Sequence, residues 1–374
     1  MKIAIDARMI EHSGIGSVLR GLLPPLLELG HEQGFQFVLL GDREKLQRYL
    51  PSLAPEDVAQ WRAPVFSLHE QCFPPRLPDV TLWHFFHYNV PTFLRRPFVV
   101  TIHDLIPLVA RNFANSATHR LAVRYLMQRQ VRDAQAVIVP SQFTRDELIQ
   151  RFPNAKGKVH VIPHAVAPAF TTVSEERVEQ VLKRLGIQRP YLLCVSIHKP
   201  HKNLSFLLRA FSQWSREQQN GANLVIAGLR PRDLGDLRRL TVQHNVVERV
   251  RLIAEFLAES DLAALYQAAE VLVVPSLYEG FGLPVLEAQS VGTPVLCSQA
   301  GSLPEVAGNG ALYFDPHSEE ALIDQLKKIR KDRALRARVE SLGRANVRRF
   351  SWQVSARNLV EVYVNLLQSK RVAT

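Results

Sequence analysis

A chain of 374 residues is long enough for two domains of about 170 to 190 residues, each burying its own hydrophobic core. With 47% hydrophobic and 22% charged residues it falls outside disordered, collagen-like and coiled-coil compositions. Its 46 Lys and Arg against 35 Asp and Glu leave a net charge of +11, which points to an anionic partner without choosing among nucleic acid, phosphorylated ligand and membrane surface.

Short β-branched runs alternate with helical stretches along the whole chain, the pattern of parallel α/β architecture. The first set of strands is predicted at 2–6, 35–40, 80–85, 98–102, 136–139 and 159–162. Pro163 to Ser174, with two prolines and few long apolar side chains, reads as a linker near residue 168. A second set follows at 191–195, 223–227, 250–253, 271–274 and 294–297. Two doubly wound domains are therefore expected, 1–168 and 169–352, facing each other across a cleft. A final amphipathic helix is predicted from Ser351-Trp352 to about Gln368, and 353–374 is set apart from the second domain as a C-terminal helical segment. Open sheets of this kind bind ligands at the carboxyl ends of their strands, so chemistry is expected in the loops that follow strands.

The charge is unevenly spread. Residues 327–349 hold ten basic side chains against Asp332 and Glu340, and so carry eight of the eleven net charges. Leu326, Ile329, Leu335, Val339 and Leu342 recur at helical spacing, which predicts one or two surface helices with a basic outer face, either simply solvated or touching an anionic surface. A second basic stretch, 111–133, carries Arg120, Arg124, Arg129 and Arg132. Cys72, Cys194 and Cys297 lack pairing or metal spacing, which fits a reducing compartment. No apolar run approaches the ~20 residues of a membrane span, and residues 1–8 show no secretory pattern. The expectation is a cytoplasmic chain, or one held on the inner membrane face by its surface.

The most informative stretch runs from Pro275 to Ala288. It follows the strand 271–274, turns through Gly280 and Gly282, and enters a helix with Pro284 near its first position. Backbone N–H groups of Gly282 and Leu283 at that helix start make a natural anion site. Glu279 in the loop and Glu287, read as a first-turn residue, repel phosphates, so each is expected to accept hydrogen bonds from hydroxyls such as those of sugars. For Glu287, a plain dipole-stabilising acid is the alternative. The loop Ser196 to Leu204 brings Lys199 and Lys202, cations suited to a leaving diphosphate, or else an exposed basic turn. In the first half, Gly14 and Gly16 open a helix after strand 2–6 but form only a weak dinucleotide fingerprint, since Leu19 stands where a third glycine would. His103 and Asp104 lie just past a strand end, where the histidine reads as functional or as a satisfied core residue. The pair His84 and His87 lacks completing ligands, so no metal site is expected, and His84, Tyr88 and Asn89 are read as lining an acceptor surface.

Glu279 and Glu287 form an E-x7-E spacing inside a Ser-x-x-Glu-Gly-Phe-Gly-Leu-Pro-x-Leu-Glu pattern. On these residues, on Gly292-Thr293-Pro294-Val295, Ser302-Leu303-Pro304-Glu305 and Phe350-Ser351-Trp352, the chain resembles the retaining glycosyltransferases of the E-x7-E family, with a GT-B fold, over nearly its whole length. The resemblance implies that Glu287 holds donor ribose hydroxyls, that Glu279 contacts the transferred sugar, and that Gly280, Phe281, Gly282 and Leu283 hold sugar and diphosphate. It implies that Lys202, with Ser196 and Lys199 nearby, neutralises the diphosphate. Gly14 and Gly16 resemble the family's glycine loop, His103 the histidine over the donor sugar, and Asp104 a group that orients it or acts as base. The chain departs from the family where many members place an arginine, at Ile197 and His201, so His201 when protonated or Lys199 is expected to supply the second cation.

Catalytic residues are thus expected at His103, Glu279 and Lys202, with no cofactor or metal. Through its His-Tyr-Asn-x-Pro and Thr-Ile-His-Asp-Leu-Ile-Pro stretches the chain most resembles bacterial mannosyl- and rhamnosyltransferases of surface-polysaccharide assembly. That resemblance implies transfer of mannose from GDP-mannose to a saccharide or polyprenyl-linked acceptor, with a UDP-sugar as the alternative donor. From its charge, the segment 327–349, together with Arg120 and Arg124, is expected to hold the chain against an anionic membrane where such an acceptor resides. A sugar-nucleotide epimerase would need acid/base carboxylates flanking the sugar, and a nucleic-acid binder would need aromatic and basic interleaving, which is missing.

Overall fold

The computed structural model describes residues 1–12, 14–94, 96–109, 117–217 and 222–371, with side chains at 117–120 and 369–371 left out. Residues 111–116 of the basic stretch 111–133 and the Arg120 side chain, both named above, lie outside the described residues. The chain divides into two compact units, 1–165 with 350–374 and 166–349. Both changeovers come three residues before the sequence-derived boundaries at 168 and 352.

The first unit is built on strands β1 (Lys2–Asp6), β2 (Gln36–Gly41), β3 (Val58–Gln60), β4 (Val80–Phe85), β5 (Phe98–Thr101), β6 (Ala136–Val139) and β7 (Val159–Val161). They form one parallel sheet in the order β3-β2-β1-β4-β5-β6-β7. Because alternate side chains leave a strand on opposite faces, Ile3, Ile5, Phe37, Leu39 and Val99 join one core. Ala4, Leu40, Trp83, Phe85 and Val100 join the other. Both faces are covered, which is why the strands read as unbroken apolar runs.

The second unit repeats the plan with β8 (Tyr191–Val195), β9 (Asn223–Ala227), β10 (Val250–Leu252), β11 (Val271–Val274), β12 (Val295–Ser298) and β13 (Leu312–Phe314). Their order is β10-β9-β8-β11-β12-β13, again all parallel. The three-residue edge strands β3 and β13 were not foreseen; each pairs with a single neighbour and is too short to show a pattern.

The basic segment forms two helices, Glu319–Lys331 and Arg333–Val347, separated by Asp332, whose carboxylate accepts the Leu335 N–H at 2.9 Å and caps the second. Leu326, Ile329 and Val339 are buried as the spacing predicts. Several of its cations serve the unit itself. Lys327 pairs with Glu217, Arg330 with Glu270, and Arg336 with Glu340, at 2.7 to 2.9 Å. Arg344 donates to the Val291 carbonyl and fills the space beside Gly292, while Arg349 reaches Asn346. Among the described residues, no helix is long and apolar enough to cross a membrane.

The helix Trp352–Arg371 follows the second sheet in sequence and packs in the first unit, against the helix Ile15–Glu32. Trp352, Ala356, Leu359, Tyr363 and Leu367 form its buried stripe at helical spacing. Its start is fixed by Ser355 Oγ, which donates to the Pro163 carbonyl at 2.6 Å, and by the Trp352 indole, which lies where a side chain on Gly21 would be, 2.3 Å from that Cβ position. Overpacking here costs about 1–3 kcal/mol. Gly21→Val is therefore expected to lower the urea midpoint, and combining it with Trp352→Leu to cost less than the two singles together. Additive losses in that cycle would show that the two positions do not share one site.

Candidate functional site

In each sheet the strand order reverses once, between β1 and β4 and between β8 and β11. Loops leaving the carboxyl ends at such a point diverge and leave room for a ligand. In the second unit those loops are 196–203 and 275–282, the two stretches singled out by sequence. They are tied together, since the Leu277 N–H donates to the His201 carbonyl at 2.7 Å. Lys202 Nζ lies 2.7 Å from Glu279 Oε1, and Ser276 Oγ donates to the same oxygen at 2.6 Å. The two charged side chains are only 20% and 12% exposed, so the pair is mostly shielded from solvent.

Loop 275–282 is held from behind by residues that sequence reading did not assign. The Ser302 hydroxyl lies 3.0 Å from the Glu279 carbonyl and 2.8 Å from that of Phe281. A Cβ on Gly301 would come within 2.5 Å of the Glu279 carbonyl, so only glycine lets this turn pass beneath the loop. Gly282, at φ +107°, ends the loop as N-cap of the helix Leu283–Val291, whose start has no side-chain cap. Gly280, Phe281 and Gly282 are buried, and Leu283 is half-buried.

Glu287 is the fifth residue of that helix, and the first turn holds no acid. The first-turn assignment and the plain dipole reading are thereby corrected. Its Oε2 accepts the Tyr266 hydroxyl at 2.7 Å, and burial pushes its pKa up to about 7. In the neighbouring loop, burial and the adjacent Lys202 drive His201 down to about 4, which disfavours it as the second cation near pH 7. Lys199 is half-buried beside it. Ser196 Oγ donates to the Ile197 carbonyl at 3.0 Å, and its N–H to the Ala227 carbonyl. His198 Nδ1 is buried with no hydrogen-bond partner among the described residues, a feature of the loop that its sequence did not announce.

In the first unit Gly14, exposed at φ +74°, caps the helix Ile15–Glu32. Gly16 has a different reason for being glycine: a Cβ there would lie 2.6 Å from the Ile10 carbonyl, so its side faces the chain's own backbone and not a ligand. His103 Nε2 lies 2.9 Å from the Phe86 carbonyl and must carry the proton, since a carbonyl only accepts. His103 Nδ1 is then the acceptor for His164 Nε2, 3.2 Å away. Burial lowers His103 to about 4. Its ring is a neutral group with both nitrogens occupied. Asp104 accepts the Ile106 N–H at 2.9 Å and so helps start the helix Ile106–Val109.

The acceptor group is corrected in two places. His84 is fully buried within β4, with Nδ1 2.5 Å from Tyr363 Oη and Nε2 2.8 Å from Thr101 Oγ1, so it is a core histidine. Asn89 is 5% exposed; its amide N–H₂ donates to Glu70 and its oxygen accepts from Gln71 at 3.0 Å. Glu70, fully buried, also pairs with Arg8, which stacks over Trp61 and binds Asp6. Tyr88 is half-buried, and burial together with Asp104 raises its hydroxyl above the ordinary range. Among the described residues no group of three His, Cys, Asp or Glu is placed to hold a metal ion.

The profile described as "Glycosyl transferases group 1" matches residues 179–346, and "Glycosyltransferase Family 4" matches 14–170. The "Serotype-specific mannosyltransferase WbdA" of Escherichia coli is 30% identical over 283 residues, 73% of this chain but only 34% of that protein. The "O-antigen chain mannosyltransferase B" of Escherichia coli is 28% identical, over 75% of this chain and 74% of its own. The D-inositol 3-phosphate glycosyltransferase of Corynebacterium jeikeium is 30% identical over 72% of this chain and 67% of its own. Anabaena HepE, solved with UDP-glucose, matches 98% of this chain and 100% of its own at a TM-score of 0.75 and 18% identity, a likeness of fold. With matching domains in both units and the two sheets and returning helix of the GT-B fold, the chain belongs to the family 4 glycosyltransferases.

Proposed function

We propose that the protein is a retaining mannosyltransferase that moves mannose from GDP-mannose to a saccharide or polyprenyl-linked saccharide at a membrane surface. The observation that carries this reading is the Lys202–Glu279 pair between the loops that follow β8 and β11, beside the uncapped helix start at Leu283. A nucleotide diphosphate draws Lys202 away from Glu279. The released carboxylate then accepts hydrogen bonds from the sugar, and Glu287 accepts them from the ribose. Lys202 neutralises charge as the bond from the anomeric carbon to the diphosphate breaks. The acceptor oxygen bonds to that carbon on the same face, and its proton passes to the departing phosphate oxygen. Glu279, already accepting from Lys202 and Ser276, serves as an acceptor of hydrogen bonds in this scheme and not as a nucleophile. No metal or cofactor takes part.

Mannose is favoured by the mannosyltransferases among the relatives. A UDP-sugar is the second reading, favoured by the structures of HepE with UDP and UDP-glucose. Thermal shifts with GDP, UDP, dTDP and ADP decide between them, since a ligand at a hundred times its Kd stabilises by about 2.7 kcal/mol. A shift with UDP and none with GDP would move the donor to the second reading.

Lys202→Ala is expected to lower kcat about 10²- to 10³-fold, and Glu279→Gln to impair transfer more than nucleotide affinity. Full turnover in both variants would remove the pair from the chemistry. Because Glu287 titrates at about 7 and ribose hydroxyls bind its ionised form, nucleotide affinity should rise about tenfold between pH 6 and pH 8. Glu287→Gln should flatten that profile. An equal pH step in the variant would assign it to another group.

A further inference from the structure

Of the twelve large apolar side chains exposed among the described residues, six belong to three segments of the first unit: Phe66, Leu68, Phe73, Phe93, Leu121 and Tyr125. The segments are tied to one another. Gln71, on the helix Leu68–Cys72, receives the N–H and the hydroxyl of Thr92, next to Phe93. Arg129, on the helix Ala117–Asp133 that also carries Leu121 and Tyr125, donates to the Thr92 carbonyl, and Gln130 of the same helix donates to Val90. Leu121 and Tyr125 are four residues apart and share that helix's outer face with exposed Arg124, opposite buried Val123 and Met127.

The charge around these side chains is mainly positive, with exposed Asp133 at the end of the helix paired to Arg129 and Arg132. Arg76, Arg96 and Arg124 are exposed on the same segments, and Asp79 is the only exposed acid among the described residues of 66–79, 91–96 and 121–128. Two copies of such a surface would bring like charges together, which disfavours self-association. Protruding aromatic and leucine side chains interspersed with arginines instead match the boundary of an anionic bilayer, where the apolar groups enter the acyl region and the cations meet the headgroups. At the root of this surface, the Phe66 ring packs against His87 and Tyr88, beside the acceptor residue Tyr88 named above.

We propose that this face of the first unit, and not the basic helices of 327–349, docks the protein on an anionic membrane and so meets a lipid-linked acceptor at Tyr88. The membrane role of the acceptor rests on the proposed function; the docking itself does not. All four tryptophans are buried, so Phe93→Trp introduces a clean reporter. Its emission should shift to the blue with phosphatidylcholine vesicles containing about a third phosphatidylglycerol, and much less with phosphatidylcholine alone. In co-sedimentation, Leu68→Ser with Phe93→Ser and, separately, Arg96→Glu with Arg124→Glu should each weaken binding to the mixed vesicles about tenfold or more. Reversing Lys328, Lys331 and Arg338 should leave binding near that of the unaltered protein. The Leu68 and Phe93 variant should retain transfer to a water-soluble acceptor, which also reports that it folds. No binding by the unaltered protein, unchanged binding by both patch variants, or loss confined to the 327–349 reversal would overturn the proposal. Vesicle binding through the patch without any sugar transfer would sustain the docking surface and reject the enzymatic reading.

Discussion

A parallel sheet covered on both faces leaves few places for polar chemistry, and the rest of this protein follows from that constraint. Side chains within the strands have nowhere to point but into a core, as His84 shows: placed on β4 it loses its solvent, gives both nitrogens to Tyr363 and Thr101, and is held neutral by burial, near a pKa of 3. Past the carboxyl end of a strand a polar side chain can reach a surface, as half-buried Tyr88 does. The order reversals at β1/β4 and β8/β11 widen that end just where Gly14, Tyr88, Lys202 and Glu279 emerge.

Electrostatics then sorts the residues gathered at those ends. Three histidines past the strand ends are neutral over the physiological range: His87 is lowered to about 3 and His103 and His201 to about 4, in each case chiefly by burial. Each lowers folding stability as pH falls below the ordinary histidine value of about 6.5, because the unfolded chain takes up protons that the folded one refuses. Glu287 acts in the opposite sense. Its raised pKa means that the folded state holds a proton the unfolded state has lost, so its contribution weakens as pH rises from the ordinary carboxyl value toward 7. Lys202 and Lys199 bring positive charge to the second switch point, and Lys202 is paired with Glu279. A shielded pair of this kind gains little by itself, because desolvation offsets attraction.

The positions of eleven of the thirteen strands were legible because runs such as Ile3-Ala4-Ile5 and Val271-Leu272-Val273-Val274 have no alternative to burial. The E-x7-E loop was legible as a pattern, yet its geometry was not. The helix begins at Leu283, which carries Glu287 past the first turn and under Tyr266, whose hydroxyl no spacing rule connects to it. The histidines and Asn89 were harder still. Whether a polar side chain faces a ligand or is satisfied internally depends on partners 17 to 279 residues away, such as Thr101 and Tyr363 for His84 and Glu70 for Asn89, and single-sequence spacing carries no record of them.

Net charge is the property most visible in the sequence and the least able to locate function. Eight of the eleven excess charges lie in 327–349, yet Lys327, Arg330 and Arg336 are matched by carboxylates, and Arg344 and Arg349 hold backbone and side-chain oxygens of their own unit. A cation that fills a structural position adds little to a long-range field that is screened within about 8–10 Å. The three arginines at 76, 96 and 124 are a small part of the total, but they stand among exposed aromatic side chains with almost no acid nearby. A bilayer surface responds to that combination, because the apolar groups supply contact that salt does not screen while the arginines select the anionic headgroup. What matters for membrane contact is therefore the company each charge keeps, and a count over the sequence cannot report it.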